Sequence, residues 1–470
     1  MTFQSIDFII FFMVVFIVYW LSSHRFQNIL LLASSFLFCG YINIKFLGLL
    51  IISGSIAYCS AILMSRFPKH GKAILIPSVL AGLALLGFFK YYNFFVESVD
   101  RVFQYMGIPS TLPTLNLMMP LGISFYTFQN ISYVVDVYRK NITPCFSAVN
   151  YAIYICFFPK FVSGPIERAS HLLAQIQKPR VIDLNRFING LVLLLWGYYQ
   201  KVVIADNIAI FSDKLFALKD PSFLIVCAGA FAFTLQIFAD FSGYTDIARG
   251  CSQMLGFDLA KNFNNPYFAK SPSDFWRRWH MSLSSWIRDY IYIPLGGSRV
   301  STIRWVLILF VTFFVIGLWH GASWNFILWG LYYWLLYLLF RLWRYIVPSA
   351  VRNIKWAQLV TLPFMFLLTN LGWLIFKLTD FNQLRKYLSI LLSGWSMEHG
   401  MFAFYIVAYT SLYSLPLILV CSYFFYNEKT NRSLNLFEIR LLRIAAIPIL
   451  YTAILLLRCN YSSDFIYFNF

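Results

Sequence analysis

The chain carries 470 residues, 60% of them hydrophobic and only 12% charged. A soluble globular protein carries roughly 25% charged residues, so the composition excludes an ordinary soluble enzyme. It leaves room for roughly a dozen membrane crossings at about 20 apolar residues each. The balance of 37 Lys and Arg against 19 Asp and Glu gives +18. With no long basic block and no nucleic-acid motif, that charge belongs in loops beside anionic lipid headgroups, and no nucleic-acid partner is expected.

In chain order, residues 6–21 form an apolar stretch broken only by Asp7, with no Lys or Arg before it and no small-residue cleavage site after it. It reads as an anchor rather than a signal peptide. Residues 29–44 and 46–64 follow as the second and third spans. On that count Arg25 and the cluster Arg66, Lys69 and Lys72 fall on one side, and the positive-inside rule puts the N-terminus outside. Further spans are expected at residues 73–89, 151–162, 187–208, 223–238, 303–319, 326–342, 359–376, 402–425 and 444–457. Residues 121–137 and 241–257 are apolar but interrupted by Gly, Ser, Asn and Asp, which predicts re-entrant or broken helices. The total is about eleven to thirteen membrane segments. The expected fold is all-α and polytopic, a single integral domain over residues 1–470 with no internal repeat. The eight cysteines include no C-x-x-C pair and mostly lie in or beside apolar runs, as small buried hydrophobes do.

An ionisable side chain in hydrocarbon costs several kcal/mol unless it faces a cavity or a partner, so the polar residues carry the functional information. The apolar run from Trp305 delivers His320 between Gly317 and Gly321, with Asn325 following. A neutral imidazole can take a proton from a hydroxyl nucleophile at physiological pH and return it, and the glycines would admit a backbone or a thin substrate. The alternative is a histidine satisfied by a neighbouring helix carbonyl. A second site of interest starts at Ser271 and Pro272, a helix-start signal completed by Asp274. Helical spacing puts Trp276, Trp279, His280, Leu283, Trp286 and Ile287 on one broad face and Arg277, Ser284 and Arg288 on another. That is an amphipathic helix at the interface or along a polar cavity, and an interfacial helix with snorkelling arginines explains most of it.

Two further places carry charge. Asp240, Asp246 and Arg249 sit beside long apolar runs, and Asp246 and Arg249, three apart, are placed to pair. The stretch from Phe158 to Arg168 reads as a helix end and turn. His280 and His320 are not joined by an H-x-x-x-H or carboxylate ligand pattern, so no metal is expected. The absence of a Walker A sequence or a G-x-G-x-x-G leaves neither an ATP-driven pump nor a dinucleotide fold indicated.

These same residues resemble the membrane-bound O-acyltransferase (MBOAT) superfamily. Within it the chain is similar to the bacterial branch of alginate O-acetyltransferase membrane subunits, with the teichoic-acid D-alanylation subunit more distant. The matching stretches are Pro120 to Gln129 with Tyr133 to Tyr138, Phe158 to Arg168, Phe238 to Gly250, Asn262 to Tyr267, Asp274 through Gly297, and Gly317 to Gly330. They define a motif-bearing core of about residues 120–330, and the run Phe275-Trp-Arg-Arg-Trp-His-Met-Ser-Leu-Ser-Ser-Trp-Ile-Arg-Asp-Tyr-Ile-Tyr-Ile-Pro-Leu-Gly-Gly297 is the most specific.

The resemblance implies tilted helices around a central funnel or tunnel, with His320 as the catalytic residue and His280 as the second active-site histidine. It implies an acyl group, usually acetyl from acetyl-CoA, taken on the cytoplasmic side of the bacterial inner membrane and passed outward to a cell-envelope or secreted polysaccharide. A periplasmic or membrane-anchored SGNH-type acyltransferase often serves as partner. Donor binding would fall to Arg277 and Arg288, with Asn325, Trp276 and Trp279 nearby. The alternatives are D-alanyl transfer from a carrier protein, and a non-enzymatic transporter or flippase whose intramembrane His, Asp and Arg relay protons or bind a solute.

Overall fold

The computed structural model describes residues 1–109, 112–162, 164–348, 355–430, 439–459, 463, 465 and 466, and over these it is built of helices, turns and loops without a strand. The chain packs as two compact units: Met1–Gly190 with Ala248–Ala260, and Leu191–Ile247 with Lys261–Phe470.

In the first unit, α1 (Ile6–Trp20) starts at Ser5, whose hydroxyl accepts from the Phe8 amide. It is followed by α2 (His24–Ile42) and α3 (Ile44–Arg66), the latter capped by Asn43, whose side chain accepts from Lys45 N. Then come α4 (Gly71–Leu86), a π-helical turn at Gly87–Tyr91, α5 (Tyr92–Tyr105) and α6 (Ile123–Tyr138). The short α7 (Ala148–Cys156), α8 (Phe158–Phe161) and α9 (Ala169–Ile176) complete this part.

Two expectations change here. Residues 121–137 are not broken: α6 runs through them, because its polar side chains are spent on neighbouring helices. Asn130 donates to Ser53 Oγ at 2.9 Å and accepts from Tyr151 OH at 2.8 Å, and Gln129 accepts from Lys160 Nζ at 2.8 Å. Residues 151–162, expected as a span, divide at Phe157 ahead of Pro159 into α7 and α8, both too short to cross hydrocarbon. The turn expected after Phe158 is present, with Lys160 and Glu167 both buried; Ser163 lies outside the described residues.

In the second unit, α10 (Leu184–Tyr198) arrives from the first unit and passes through a π-helical turn, Tyr199–Ala205, into α11 (Asp206–Phe216). α12 (Phe223–Met254) is 32 residues long and runs unbroken through residues 241–254, correcting the expected break. Gly197 and Gly243 let α10 and α12 touch backbone to backbone, since a Cβ on either would run into the carbonyl oxygen of the other. The polar groups of α12 are absorbed at this crossing: Gln200 donates to Asp246 at 2.9 Å and accepts from Ser242. Asp246 is therefore engaged by the π-helical turn that follows α10.

The remaining helices are α13 (Pro272–Arg278), α14 (Met281–Ile287), a π-helical turn at Arg288–Tyr292, α15 (Thr302–His320), α16 (Trp324–Ile346), α17 (Lys355–Lys377), α18 (Phe381–Ser393), α19 (Gly400–Thr430) and α20 (Arg440–Leu457). Among the described residues nine helices are long and apolar enough to cross a membrane, and Ile6–Trp20 is a shorter apolar one. Their outer faces confirm the solvent. Ile10, Val14 and Ile17 of α1, Ile303, Leu307 and Val311 of α15, and Leu335, Leu339 and Leu342 of α16 are all exposed. Apolar surface on this scale is stable only against lipid. The protein is a multi-pass, all-α membrane protein.

Candidate active site

The site lies wholly within the second unit and is built on α13 to α16. α13 begins as its sequence demands: Ser271 Oγ accepts from Asp274 N at 3.1 Å, Asp274 Oδ2 accepts from Lys270 N at 3.1 Å, and Pro272 takes the first helical position. The predicted amphipathic helix does not continue to Tyr290. At His280 the backbone turns into the left-handed region, φ 41° and ψ 55°, which ends α13 and starts α14. Such a conformation costs an L-residue roughly 1–2 kcal/mol, and the segment around Asn262 offsets it. Asn262 O accepts from Met281 N at 2.9 Å, Asn262 Oδ1 accepts from Ser282 Oγ at 2.6 Å, and Asn264 N donates to Arg278 O at 2.9 Å.

The two neighbouring arginines of the motif, both on α13, point to different surroundings. Arg278 is tied to Asp274 at 3.0 Å and, two-pronged, to Glu428 on α19 at 3.0 and 3.3 Å. Arg277 instead lines a cavity of about 350 Å³, together with Ser273, Trp276, Ser284, Ser285 and Arg288 on the α13–α14 wall. Leu309, Thr312, Phe313 and Ile316 of α15 form the opposite wall. The expected grouping of Arg277, Ser284 and Arg288 therefore holds in space although the single helix does not.

Trp279, His280, His320 and Asn325 lie outside that lining. Trp279 is fully buried, 4.6 Å from the Trp373 ring and 4.9 Å from Phe263. Asn325 donates to Phe376 O at 3.1 Å. Neighbours of both histidines do line the cavity: Met281 follows His280 in sequence, and Ile316 stands one helical turn before His320.

His320 closes α15, 2% exposed, with Trp319, Trp329 and Phe376 set edge to face around its ring at 4.9, 4.8 and 5.4 Å. His280, fully buried, meets Phe241 at 4.9 Å and Trp319 at 5.4 Å. The indole of Trp319 thus contacts both imidazoles. Burial pushes the His280 imidazole well below its ordinary pKa, which keeps it neutral and able to accept as well as donate. The glycines beside His320 serve packing: a Cβ on Gly317 or Gly321 would strike Phe326, and one on Gly330 would strike the Phe313 carbonyl, so α15 and α16 cross in backbone contact. Of the two occupants the sequence allowed, a backbone or a thin substrate, a backbone takes the space at Gly317.

Sequence reasoning missed a buried charge cluster. Lys201 sits between Asp206 and Asp240, 2.8 Å from each, with all three side chains almost wholly buried. A lone lysine inside an apolar run was the available signal. Its pairing with a residue five positions on is a consequence of the π-helical turn, which stacks residues i and i+5.

A sequence model of the MBOAT, membrane-bound O-acyltransferase, family matches residues 139–379, which include α13 to α16 and both histidines. A probable alginate O-acetylase AlgI of Azotobacter vinelandii is 36% identical over 409 residues, covering 86% of this chain and 78% of the relative. The chain belongs to the membrane-bound O-acyltransferase family. Within that family it falls in the alginate O-acetylase branch. A peptidoglycan O-acetyltransferase of Helicobacter pylori is 33% identical over 415 residues, 80% of this chain and 76% of the relative. A teichoic acid D-alanyltransferase of Bacillus subtilis is 29% identical over 287 residues, 57% of this chain and 71% of the relative. The protein is accordingly a membrane-bound O-acyltransferase, and its cavity and histidines are the candidate site for that chemistry.

Proposed function

We propose that this membrane-bound O-acyltransferase takes an acetyl group from acetyl-CoA on the cytoplasmic side of the bacterial inner membrane and passes it outward for O-acetylation of an extracytoplasmic polysaccharide. The observation that carries the reading is the cavity, with two arginines and three serines on one wall, a mostly apolar opposite wall, and in its lining Met281, which follows His280, and Ile316, one helical turn before His320. Its volume suits the thioester arm of a donor, and Arg277 and Arg288 suit phosphate oxygens through charge-assisted contacts.

His320 serves as general base. It removes the proton from the attacking hydroxyl as that oxygen adds to the thioester carbonyl, and it returns the proton to the departing thiolate as the tetrahedral adduct collapses. His280, neutral and held by the turn at Asn262, polarises or orients the reacting groups. Asn325, bonded to Phe376 O, supports the turn after His320. An SGNH-type acyltransferase, periplasmic or membrane-anchored, receives the acyl group and reads the glycan. The N-terminus lies outside. D-alanyl transfer from a carrier protein is the second reading, favoured by the similarity to the teichoic acid D-alanyltransferase.

The experiment is reconstitution in proteoliposomes with radiolabelled acetyl-CoA or a D-alanyl carrier protein, with and without the SGNH partner. Acetyl-CoA should be consumed slowly by the chain alone, and glycan acetylation should need the partner. His320→Ala should fall below roughly a hundredth of wild-type turnover, since general-base catalysis is worth about 10²- to 10⁴-fold. Retention above that level would remove the general-base role.

A further inference from the structure

The Lys201 cluster lies outside the cavity, yet it grips a distant part of the chain. Lys201 Nζ donates to the Ser463 carbonyl at 2.9 Å and to Ser463 Oγ at 3.0 Å. Ser463 Oγ donates to Asp206 Oδ1 at 2.6 Å, and Ile466 N donates to Asp240 Oδ2 at 2.8 Å. A cation and two carboxylates from α11, α12 and the π-helical turn between α10 and α11 thus hold Ser463 and Ile466, which lie on either side of Phe465 in sequence.

Phe465 is fully buried, stacked on Tyr244 at 4.1 Å and tilted against Phe241 at 5.8 Å. Phe241 also meets His280 edge to face at 4.9 Å. Phe241 is therefore in contact with both Phe465 and the second histidine.

Burying three ionised groups at membrane depth carries a desolvation cost of several kcal/mol per ion and is a poor source of net stability. What it supplies is a fixed geometry, since ion pairs and charge-assisted bonds admit few alternative registers. We propose that Lys201, Asp206 and Asp240 form a latch that docks Phe465 behind Phe241, and that Phe465 is a positioning residue for His280. Phe241 cannot retreat while Phe465 fills the space behind it, so the imidazole stays aimed as the left-handed turn sets it. The inference rests on the role of His280 given under Proposed function.

Its test uses the full chain in cells and purified. Acyl transfer is read as alkali-labile ester on envelope polysaccharide, which needs no assumption about the donor, and turnover and KM follow in proteoliposomes. Phe465→Ala leaves the charges in place and should lower turnover by roughly 10²-fold, the effect of a misplacement near 1 Å, with donor KM within about twofold. Phe465→Tyr or Phe465→Leu should restore most of it. Phe241→Ala should be non-additive with Phe465→Ala.

A second readout is independent of activity. His280 in Phe465→Ala should be carbethoxylated by diethyl pyrocarbonate faster than in wild type, as followed by peptide mass spectrometry, while His171 reacts unchanged. Wild-type turnover and unaltered His280 modification in a folded Phe465→Ala variant would overturn the latch. His320→Ala runs beside it: an active His320→Ala would fault the reading of the site, whereas an inactive one beside a fully active Phe465→Ala would fault the latch alone.

Discussion

Two adjacent arginines, identical in chemistry, have different work because successive side chains on α13 point about 100° apart. Arg278 is committed to Asp274 and Glu428, while Arg277 and Arg288 face the cavity. Arg277→Met and Arg288→Met should each raise the donor KM about tenfold, the loss of one charge-assisted contact near 1.5 kcal/mol, with kcat within about threefold. Steady-state kinetics in proteoliposomes would check the split; a fall in kcat at constant KM would move these residues from donor binding to the chemical step. Arg278→Met should act differently, lowering thermal stability in detergent, because it leaves Asp274 and Glu428 without their shared cation.

At the scale of elements, the crossing of α15 and α16 is made of backbone. Gly330→Leu would force the helices apart at Phe313 and Gly317, an overpacking cost of at least about 1–3 kcal/mol, and should lower the melting temperature measured by fluorescence-detected gel filtration. Gly48→Ala, on α3 with open space around it, should be neutral or stabilising by up to about 1 kcal/mol.

Loop attachment in the first unit has a pH dependence of defined sign. Glu167 accepts from Ala260 N at 2.6 Å and from His171 at 2.7 Å, and that bond raises the His171 pKa above its ordinary 6.5. A raised histidine contributes stability in full below its unfolded value and loses it as pH climbs through the folded value. The protection of the Ala260 amide, its exchange rate taken relative to the intrinsic base-catalysed rate at each pH, should therefore be greater at pH 6 than at pH 8.5. In His171→Gln the difference should disappear.

For the whole molecule, orientation follows from charge. Reporter fusions after residue 3 should read outside and fusions near Lys69 inside, since three helices, α1 to α3, separate them and Arg66, Lys69 and Lys72 cluster after the third. The opposite readings would reverse the assignment of donor and acceptor sides.

Composition and periodicity determine the membrane class and most of the long helices, because a segment that buries about 20 apolar residues in lipid needs no tertiary partner to be helical. The start of α13 is equally local, written in Ser271, Pro272 and Asp274. What the tertiary structure decided is where polar residues go. Asn130, Ser242 and Asp246 read as helix interruptions in sequence, yet each finds a partner on another helical segment and the helix continues. The turn at His280 depends on Asn262, the pairing of Lys201 with Asp206 depends on a π-helical register, and the docking of Phe465 links residues 201 and 463. No periodicity encodes such contacts, because a hydrogen bond between segments far apart in sequence is set by the packing of both and by the local pattern of neither.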